Sequence, residues 1–174
     1  MSRQLISVAA ALLMLTAAPA LAEVKSAAPG GFDVGGTVVI KAPPARVWAV
    51  LTAPDAWWSR DHRWFKGSTL SLELAPGGCW CEHAEDGRVS RHLETALVEP
   101  GSKLVLRGGL GPLQGQGATG GLTFEVTSEG EGSVLTWTYI VGGYTPGGLE
   151  AWAAPVDGVL SAQLANLKAR AEAD

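Results

Sequence analysis

Both cysteines of the chain lie in one short stretch that also carries a histidine and a turn signal, residues 77–87 (GGCWCEHAEDG). In an oxidising compartment, two cysteines in one chain usually pair. Residues two apart on a flat strand lie about 6.6 Å apart at Cα, and disulfides span about 4.4–6.8 Å. Cys79 and Cys81 are therefore predicted either to form a disulfide, with a bulge at Gly77-Gly78 closing the gap, or to remain reduced, partly buried thiols.

Asp86-Gly87, flanked by alternating apolar and polar residues, predicts a β-hairpin at this point. The register of the hairpin decides which side chains meet, because a slip of one residue turns every side chain to the other face. A two-residue turn predicts that Glu82 pairs with Arg91, Cys81 with His92 and Trp80 with Leu93, the first pair being an ion pair. A three-residue loop places Trp80 opposite His92 instead.

A metal site is one alternative for this hairpin. Cys79 and His83 lie about 13 Å apart on a flat strand, so they cannot both reach a zinc ion, whose ligands bind at about 2.0–2.3 Å. Cys81 and His92, opposite each other, could hold a metal with one neighbour. The C-x-C-x-H run lacks the usual zinc spacing, so we expect no metal, and nothing in the sequence predicts a cofactor.

Acid–base chemistry is a second alternative. Glu82, Arg91, His92 and Glu94 are the polar residues that lie side by side on the two strands. A glutamate beside a histidine can transfer protons if both reach a ligand, and the candidate catalytic residues are His92, Glu94 and His62. No set of nucleophile, base and orienting group is evident, and a surface ladder of ion pairs explains the same residues.

The elements that would position these residues follow from the hydrophobic pattern. Predicted strands are Phe32–Lys41, Leu70–Leu74, the two arms of the hairpin (ending near Val98), Lys103–Arg107, Gly120–Thr127 and Ser133–Val141. Two short helices follow the first strand, one beginning at Pro43-Pro44 and one at Pro54–Trp58. The last predicted helix, Pro155–Ala171, belongs to an apolar stripe of Leu149, Trp152, Val156, Leu160, Leu164 and Leu167.

This order of elements predicts an α+β fold, because an apolar helix face and an apolar sheet face must bury each other. We expect a curved antiparallel sheet of about seven strands wrapped on the long C-terminal helix. Residues 32–174 would form one domain, preceded by a flexible lead-in at residues 23–31.

Residues 1–22 have the pattern of a secretory signal peptide, with a positive Arg3, an apolar run and the cleavage site Ala20-Leu21-Ala22. The predicted mature protein begins at Glu23 and is periplasmic or secreted, without a membrane anchor. It keeps 12 of the 13 basic residues against 17 acidic ones, a net charge of −5. That charge disfavours nucleic acids and anionic membrane surfaces as partners.

Three segments carry a resemblance to a known family: KAPPARVWAVLTAPDAWWS, LELAPGGCWCEHAEDG and VEPGSKLVLRGG, followed by the final amphipathic helix. From Val34 to the end, the chain resembles the helix-grip superfamily, also called SRPBCC or START-like. Within it, the nearest branch is related to polyketide cyclases and to the heat-shock ATPase activator domain. The resemblance implies binding of hydrophobic ligands, cyclisation or hydrolysis, or binding of a protein partner. An export signal fits poorly with a cytosolic chaperone activator.

The leading hypothesis is a binding protein whose cavity, between sheet and last helix, holds a small and mostly hydrophobic molecule. A cyclase- or hydrolase-type enzyme acting in the same cavity and a protein-partner module without ligand are the alternatives. The residues expected at the ligand are Trp57, Trp58, His62, Trp64, Cys81, His92, Trp137, Tyr139 and Trp152.

Residues 115–120 match G-x-G-x-x-G, but a strand follows, so we interpret 108–121 as a flexible loop or a lid and not as a nucleotide site.

Overall fold

Eight antiparallel strands form one sheet in the computed structural model, which describes residues 23–173. The strands are β1 (Glu23–Ala28), β2 (Gly31–Ile40), β3 (Thr69–Leu72), β4 (Cys79–His83), β5 (Val89–Glu99), β6 (Lys103–Gly108), β7 (Gly117–Glu129) and β8 (Gly132–Tyr144). Their order across the sheet is β1-β2-β8-β7-β6-β5-β4-β3. The predicted signal peptide, residues 1–22, lies outside the described residues.

A long helix, α2 (Ala153–Glu172), packs on this sheet and provides much of the core. The predicted apolar stripe is buried at Leu160, Leu164 and Leu167. The helix begins two residues before Pro155, because proline is tolerated in the first turn, where its missing N–H has no partner in any case. No helix within residues 23–173 is long and apolar enough to cross a membrane.

The two short helical segments after the first long strand are also present. Helix α1 (Pro44–Leu51) begins with a proline and buries Val47 and Leu51. The 3₁₀ turn Pro54–Ala56 lies where the second short helix is predicted, and another 3₁₀ turn, Arg60–His62, follows it. The helix-grip fold is therefore as expected, with a curved antiparallel sheet around a long C-terminal helix.

The flexible lead-in predicted for residues 23–31 is wrong for its first six residues. These form β1, which pairs with β2 from Glu23 opposite Gly35 to Ala28 opposite Gly31, so the sheet has eight strands where about seven are predicted. The side chains of β1 are almost all exposed. Val24 is its one half-buried apolar side chain, so no alternating apolar pattern identifies this strand in the sequence.

Near the turn, the central hairpin has the register of the three-residue-loop alternative, and the two-residue-turn register is correct only further out. His83 pairs with Val89 and Cys81 with Arg91, as in a three-residue loop. A two-residue type I′ turn requires positive φ at both loop residues, and within residues 23–173 only glycines have positive φ, Gly87 among them at 87°. A bulge between Trp80 and Cys81 then restores the predicted pairing of Trp80 with Leu93.

The glycine-rich segment predicted as loop 108–121 is mostly regular structure. Strand β7 begins at Gly117, and a 3₁₀ turn, Gly111–Gly115, precedes it. Gly120 is required inside the strand, because a Cβ there would lie 2.6 Å from the Tyr139 ring. Glycine in a strand interior commonly marks such a close approach. Because glycine has a low strand propensity, the residue propensities do not predict a strand here.

Candidate functional site

A cavity of about 330 Å³ opens between the N-terminal half of α2, the loop that follows α1 and the segment after β6. Its lining side chains are mostly apolar, with two histidines and one carboxylate. They are Trp58, Asp61, His62, Trp64, His92, Leu110, Pro112, Trp152, Pro155, Val156, Val159 and Leu160, together with the backbone of Gly111. The volume and apolar character are those of a small-molecule site.

The residues predicted at the ligand fall into two groups. Trp58, His62, Trp64, His92 and Trp152 line the cavity. The other four, Trp57, Cys81, Trp137 and Tyr139, do not line it. Trp57 packs against other tryptophans, Trp137 is buried in the sheet core, and Cys81 lies in a disulfide. Strand alternation and sequence proximity cannot separate residues that line a cavity from neighbours buried in the solid core.

Tyr139 has a structural role beside the cavity. Its hydroxyl donates to the carbonyl of Gly108 at 2.8 Å and accepts from the amide of Leu110 at 3.0 Å. Burial raises the pKa of Tyr139 to about 12, so the hydroxyl stays protonated and keeps both hydrogen bonds. This side chain therefore ties the start of the segment that carries Leu110 and Pro112 to the sheet.

Glu82 is a fully buried carboxylate beside the cavity. Its oxygens accept hydrogen bonds from the amides of Trp64 (3.0 Å) and Phe65 (2.7 Å), the hydroxyl of Ser68 (2.7 Å) and Nε2 of His92 (2.9 Å). Burial acts to raise the pKa of the Glu82 carboxyl, but these hydrogen bonds outweigh it and hold the pKa below its ordinary value. The site therefore contains an ionised glutamate.

His92 is the partner of Glu82 and is itself buried. Burial lowers the pKa of His92, and the nearby Arg63 guanidinium acts in the same direction. The Glu82 carboxylate acts to raise the pKa of His92, without overcoming burial. A neutral imidazole held by a buried carboxylate is an arrangement that can accept a proton from a ligand.

The bulge in the central hairpin is what brings His92 to Glu82. In the regular register predicted from the sequence, Glu82 lies on one face and His92 on the other, and Glu82 faces Arg91. The extra residue between Arg91 and Leu93 turns His92 inward, as bulges commonly re-aim side chains next to functional sites. The predicted ion pair of Glu82 with Arg91 is therefore wrong. Arg91 pairs instead with Glu94 at 3.1 Å.

Two of the three candidate catalytic residues line the cavity. His92 and His62 line the cavity and Glu94 does not; Glu94 lies with Arg91 and Arg107 in a polar surface groove, which His92 also lines from its other side. Asp61, which is not among the predicted site residues, also lines the cavity. Its position directly before His62, in a loop with three tryptophans nearby, is the one signal that could have marked it.

Arg63 holds the loop that supplies the cavity residues. Its side chain is 3% exposed and forms an ion pair with Asp55 at 2.7 Å. The guanidinium also donates to the carbonyls of Ser68 (2.8 Å) and Trp58 (3.0 Å). These contacts close the loop from 58 to 68, so that the amides of Trp64 and Phe65 meet the Glu82 carboxylate.

Cys79 and Cys81 are joined by a disulfide with a Cα–Cα distance of 5.3 Å, inside the range for such bonds. The local irregularity lies between Trp80 and Cys81, and not at the predicted Gly77-Gly78. The alternative of a metal held by Cys81 and His92 loses its geometric basis, because Arg91 lies opposite Cys81. Within residues 23–173, no group of three or more His, Cys, Asp or Glu side chains could hold a metal ion.

Residues 32–172 match the model of a protein family described as polyketide cyclase / dehydrase and lipid transport. The chain belongs to this family. Membership places it in the helix-grip superfamily, in agreement with the eight-stranded sheet and the C-terminal helix. The family and the fold support a ligand-binding or cyclase-type role for the cavity. No curated protein matches the chain at a significant level.

Solved structures share the helix-grip fold of this family. CalU16 from Micromonospora echinospora is 17% identical with a TM-score of 0.57, over 90% of this chain and 87% of that chain. An uncharacterized protein from Rhizobium leguminosarum is 19% identical with a TM-score of 0.60, over 89% and 99%. DynU16, from the dynemicin biosynthetic locus, is 22% identical with a TM-score of 0.54, over 79% of this chain and 46% of that chain. At these low sequence identities, the comparison shows a shared fold.

The buried His92 predicts a stability that falls on acidification. A histidine whose folded pKa lies below its unfolded value of about 6.5 contributes full stability above that value and loses it as the pH falls. One such proton changes the free energy of unfolding by at most about 1.4 kcal/mol per pH unit. Urea denaturation should show this loss between pH 7 and 5 in the wild type.

The His92→Gln variant serves as the test of this assignment, since glutamine can still donate to Glu82 but does not titrate. We expect it to lose less stability than the wild type over the same pH range. His83→Gln, an exposed histidine on the same hairpin, should keep the wild-type slope. A slope that is unchanged in His92→Gln contradicts the assignment.

The disulfide predicts the reactivity of the two cysteines. Alkylation of the denatured, unreduced protein should add no mass, because both thiols are bonded to each other. Alkylation after reduction should add two groups, and a chelator without reductant should have no effect. Labelling of the unreduced protein would show free thiols and contradict the pairing.

Proposed function

We propose that this protein binds a small, mostly hydrophobic molecule in the cavity between the sheet and α2. The observation that supports the proposal is the apolar cavity of about 330 Å³, whose walls include Trp58, Trp152 and Val156. Its size and composition match those of sites that bury most of a small ligand. The polar side chains of its lining, Asp61, His62 and His92, would orient the ligand rather than supply most of its affinity.

A titration with N-phenyl-1-naphthylamine, a neutral apolar dye, tests this proposal. We expect saturable binding with a rise in dye fluorescence. Val156→Trp, which fills the cavity from α2, should weaken binding by at least about tenfold, or about 1.4 kcal/mol. Ala165→Trp, on an exposed part of the same helix, is the matched control and should bind like the wild type. Equal binding by both variants would contradict the cavity as the site.

We also propose that the protein is exported with cleavage before Glu23. The proposal rests on the Ala20-Leu21-Ala22 pattern and is consistent with the disulfide between Cys79 and Cys81, since disulfides persist in oxidising compartments. N-terminal sequencing of the protein from the periplasmic or culture fraction should begin at Glu23. A cytoplasmic protein that retains Met1 would contradict it.

A second candidate function is acid–base catalysis of the cyclase or hydrolase type in the same cavity, favoured by the buried pair of Glu82 and His92. His92 would take a proton from an acidic C–H group of the substrate and return a proton to it or to solvent. In D₂O, the protein should then accelerate deuterium exchange at the carbon next to the carbonyl of 2-tetralone, measured by NMR. Exchange at the same rate with His92→Gln would exclude His92 as the base.

A further inference from the structure

The disulfide between Cys79 and Cys81 is poorly placed to stabilise the fold. It joins residues two positions apart in the sequence, and the stabilisation by a disulfide increases with the length of the loop that it closes. Strand β4 is also paired with β3 on one side and with β5 on the other. Backbone hydrogen bonds therefore hold both cysteines in the sheet without the covalent bond.

What the disulfide does constrain is the bulge of the central hairpin. The shift in register lies between Trp80 and Cys81, inside the segment that the bond spans. The Cα–Cα distance of 5.3 Å between the two cysteines is shorter than the distance of about 6.6 Å in a regular strand. The bond therefore holds this part of β4 contracted, at the bulge that brings His92 to Glu82.

The chain just before Cys79 is anchored independently of the disulfide. The carbonyl of Gly78 accepts a hydrogen bond from the amide of Thr95, in β5, at 2.8 Å. Extension of β4 after the bond is broken would therefore displace Cys81 and the next residue, Glu82. The four hydrogen bonds of Glu82 are 2.7–3.0 Å long. A displacement of about 1 Å, toward the geometry of a regular strand, is enough to break them.

The sulfur of Cys79 is the one that a reductant can reach, because Cys79 is half-buried and Cys81 is buried. A thiolate of a dithiol attacks Sγ of Cys79, the S–S bond breaks, and Cys81 leaves as a thiolate that takes up a proton. The second thiol of the dithiol then attacks the mixed disulfide and releases Cys79 as a thiol. Two electrons pass to the protein, and the dithiol is oxidised to a disulfide.

We propose that the Cys79–Cys81 disulfide is a redox switch for the cavity, which binds its ligand in the oxidised protein and loses affinity when a dithiol reduces the bond. This inference rests on the proposed function that the cavity holds an apolar ligand. Both side chains that meet at the bulge act on the cavity. His92 lines it, and Glu82 accepts the amide of Trp64, whose side chain also lines it.

Reduction of the native protein with dithiothreitol, without denaturant, tests the proposal. We expect both cysteines to become accessible to alkylation while the protein keeps cooperative unfolding in urea. N-phenyl-1-naphthylamine should bind about tenfold more weakly to the reduced protein, as loss of one ordering hydrogen bond provides, and reoxidation should restore its affinity. A bond that resists reduction until the protein unfolds, or equal affinities of the two folded forms, would overturn the inference.

The double variant Cys79→Ser, Cys81→Ser separates the bond from the reagent. It should bind the dye as weakly as the reduced wild type, and dithiothreitol should not change its affinity. Loss of the fold in the reduced wild type would also overturn the inference, because the disulfide would then be a structural bond.

A third measurement does not depend on ligand binding. In ¹⁵N NMR spectra of the wild type, reduction should shift the Nε2 resonance of His92, because this nitrogen loses its contact with Glu82. An unchanged resonance overturns the switch even if the dye binds. The absence of dye binding to the oxidised protein overturns the proposed function instead.

Discussion

The Glu82→Ala variant is expected to lose about 3–5 kcal/mol of the free energy of unfolding, the range for removal of one member of a buried charged or hydrogen-bonded pair. Glu82 is fully buried and accepts four hydrogen bonds. Its removal leaves the amides of Trp64 and Phe65, the hydroxyl of Ser68 and the ring of His92 without their acceptor. The same loss should abolish ligand binding, because the loop after α1 is then no longer held against β4.

Urea denaturation measures the effect of this substitution directly. Glu85→Ala, an exposed glutamate in the turn of the same hairpin, is the matched control and should change the free energy of unfolding by less than about 0.5 kcal/mol. Glu82→Gln should lie between the two, since one of its two acceptor atoms becomes a donor. A loss under about 1 kcal/mol in Glu82→Ala would mean that the buried hydrogen bonds do not support the fold.

Leu164→Ala should destabilise the protein by about 2–5 kcal/mol through loss of buried surface and the cavity that it leaves. Leu164 is 1% exposed and belongs to the face of α2 that packs on the sheet. It does not line the ligand cavity, so the effect reports on the core alone. The folded variant should still bind N-phenyl-1-naphthylamine.

The matched control for Leu164→Ala is Asn166→Ala, an exposed position on the same helix. It should leave the free energy of unfolding within about 0.5 kcal/mol of the wild type. A change of that small size in Leu164→Ala as well would show that this face of α2 is not packed against the sheet.

The long helix and its buried face could be predicted from the sequence because both depend on local periodicity. Leu160, Leu164 and Leu167 recur at the spacing of an α-helix, and no distant contact is needed to recognise them. The same holds for α1, which begins where Pro44 allows a first turn. Together with the antiparallel strands, these elements determine the fold class.

The geometry of the site could be predicted only in part. The sequence places Glu82 and His92 near each other, but their contact depends on a bulge and on a three-residue loop at Gly87. Asp86-Gly87 is compatible with either loop length, so these two residues do not decide the register. The other partners of Glu82 come from a loop 14 to 18 residues earlier in the chain, which no strand pattern links to it.

Strand β1 cannot be predicted from the hydrophobic pattern for a similar physical reason. All its side chains except the half-buried Val24 are exposed, and its backbone pairs with β2, so the residues from Glu23 to Ala28 need no apolar alternation. The start of β7 was missed because Gly117 and Gly120 have low strand propensity. In the sheet, Gly120 makes room for the ring of Tyr139.

Native mass spectrometry of the protein, purified from the exported fraction and incubated with an organic extract of the producing cells, tests whether the cavity holds a small molecule. We expect a complex of one chain with one small organic molecule, present with Ala165→Trp and absent with Val156→Trp. Detection of the wild-type chain without any small molecule, but with a tightly bound protein partner, would contradict the proposed ligand binding.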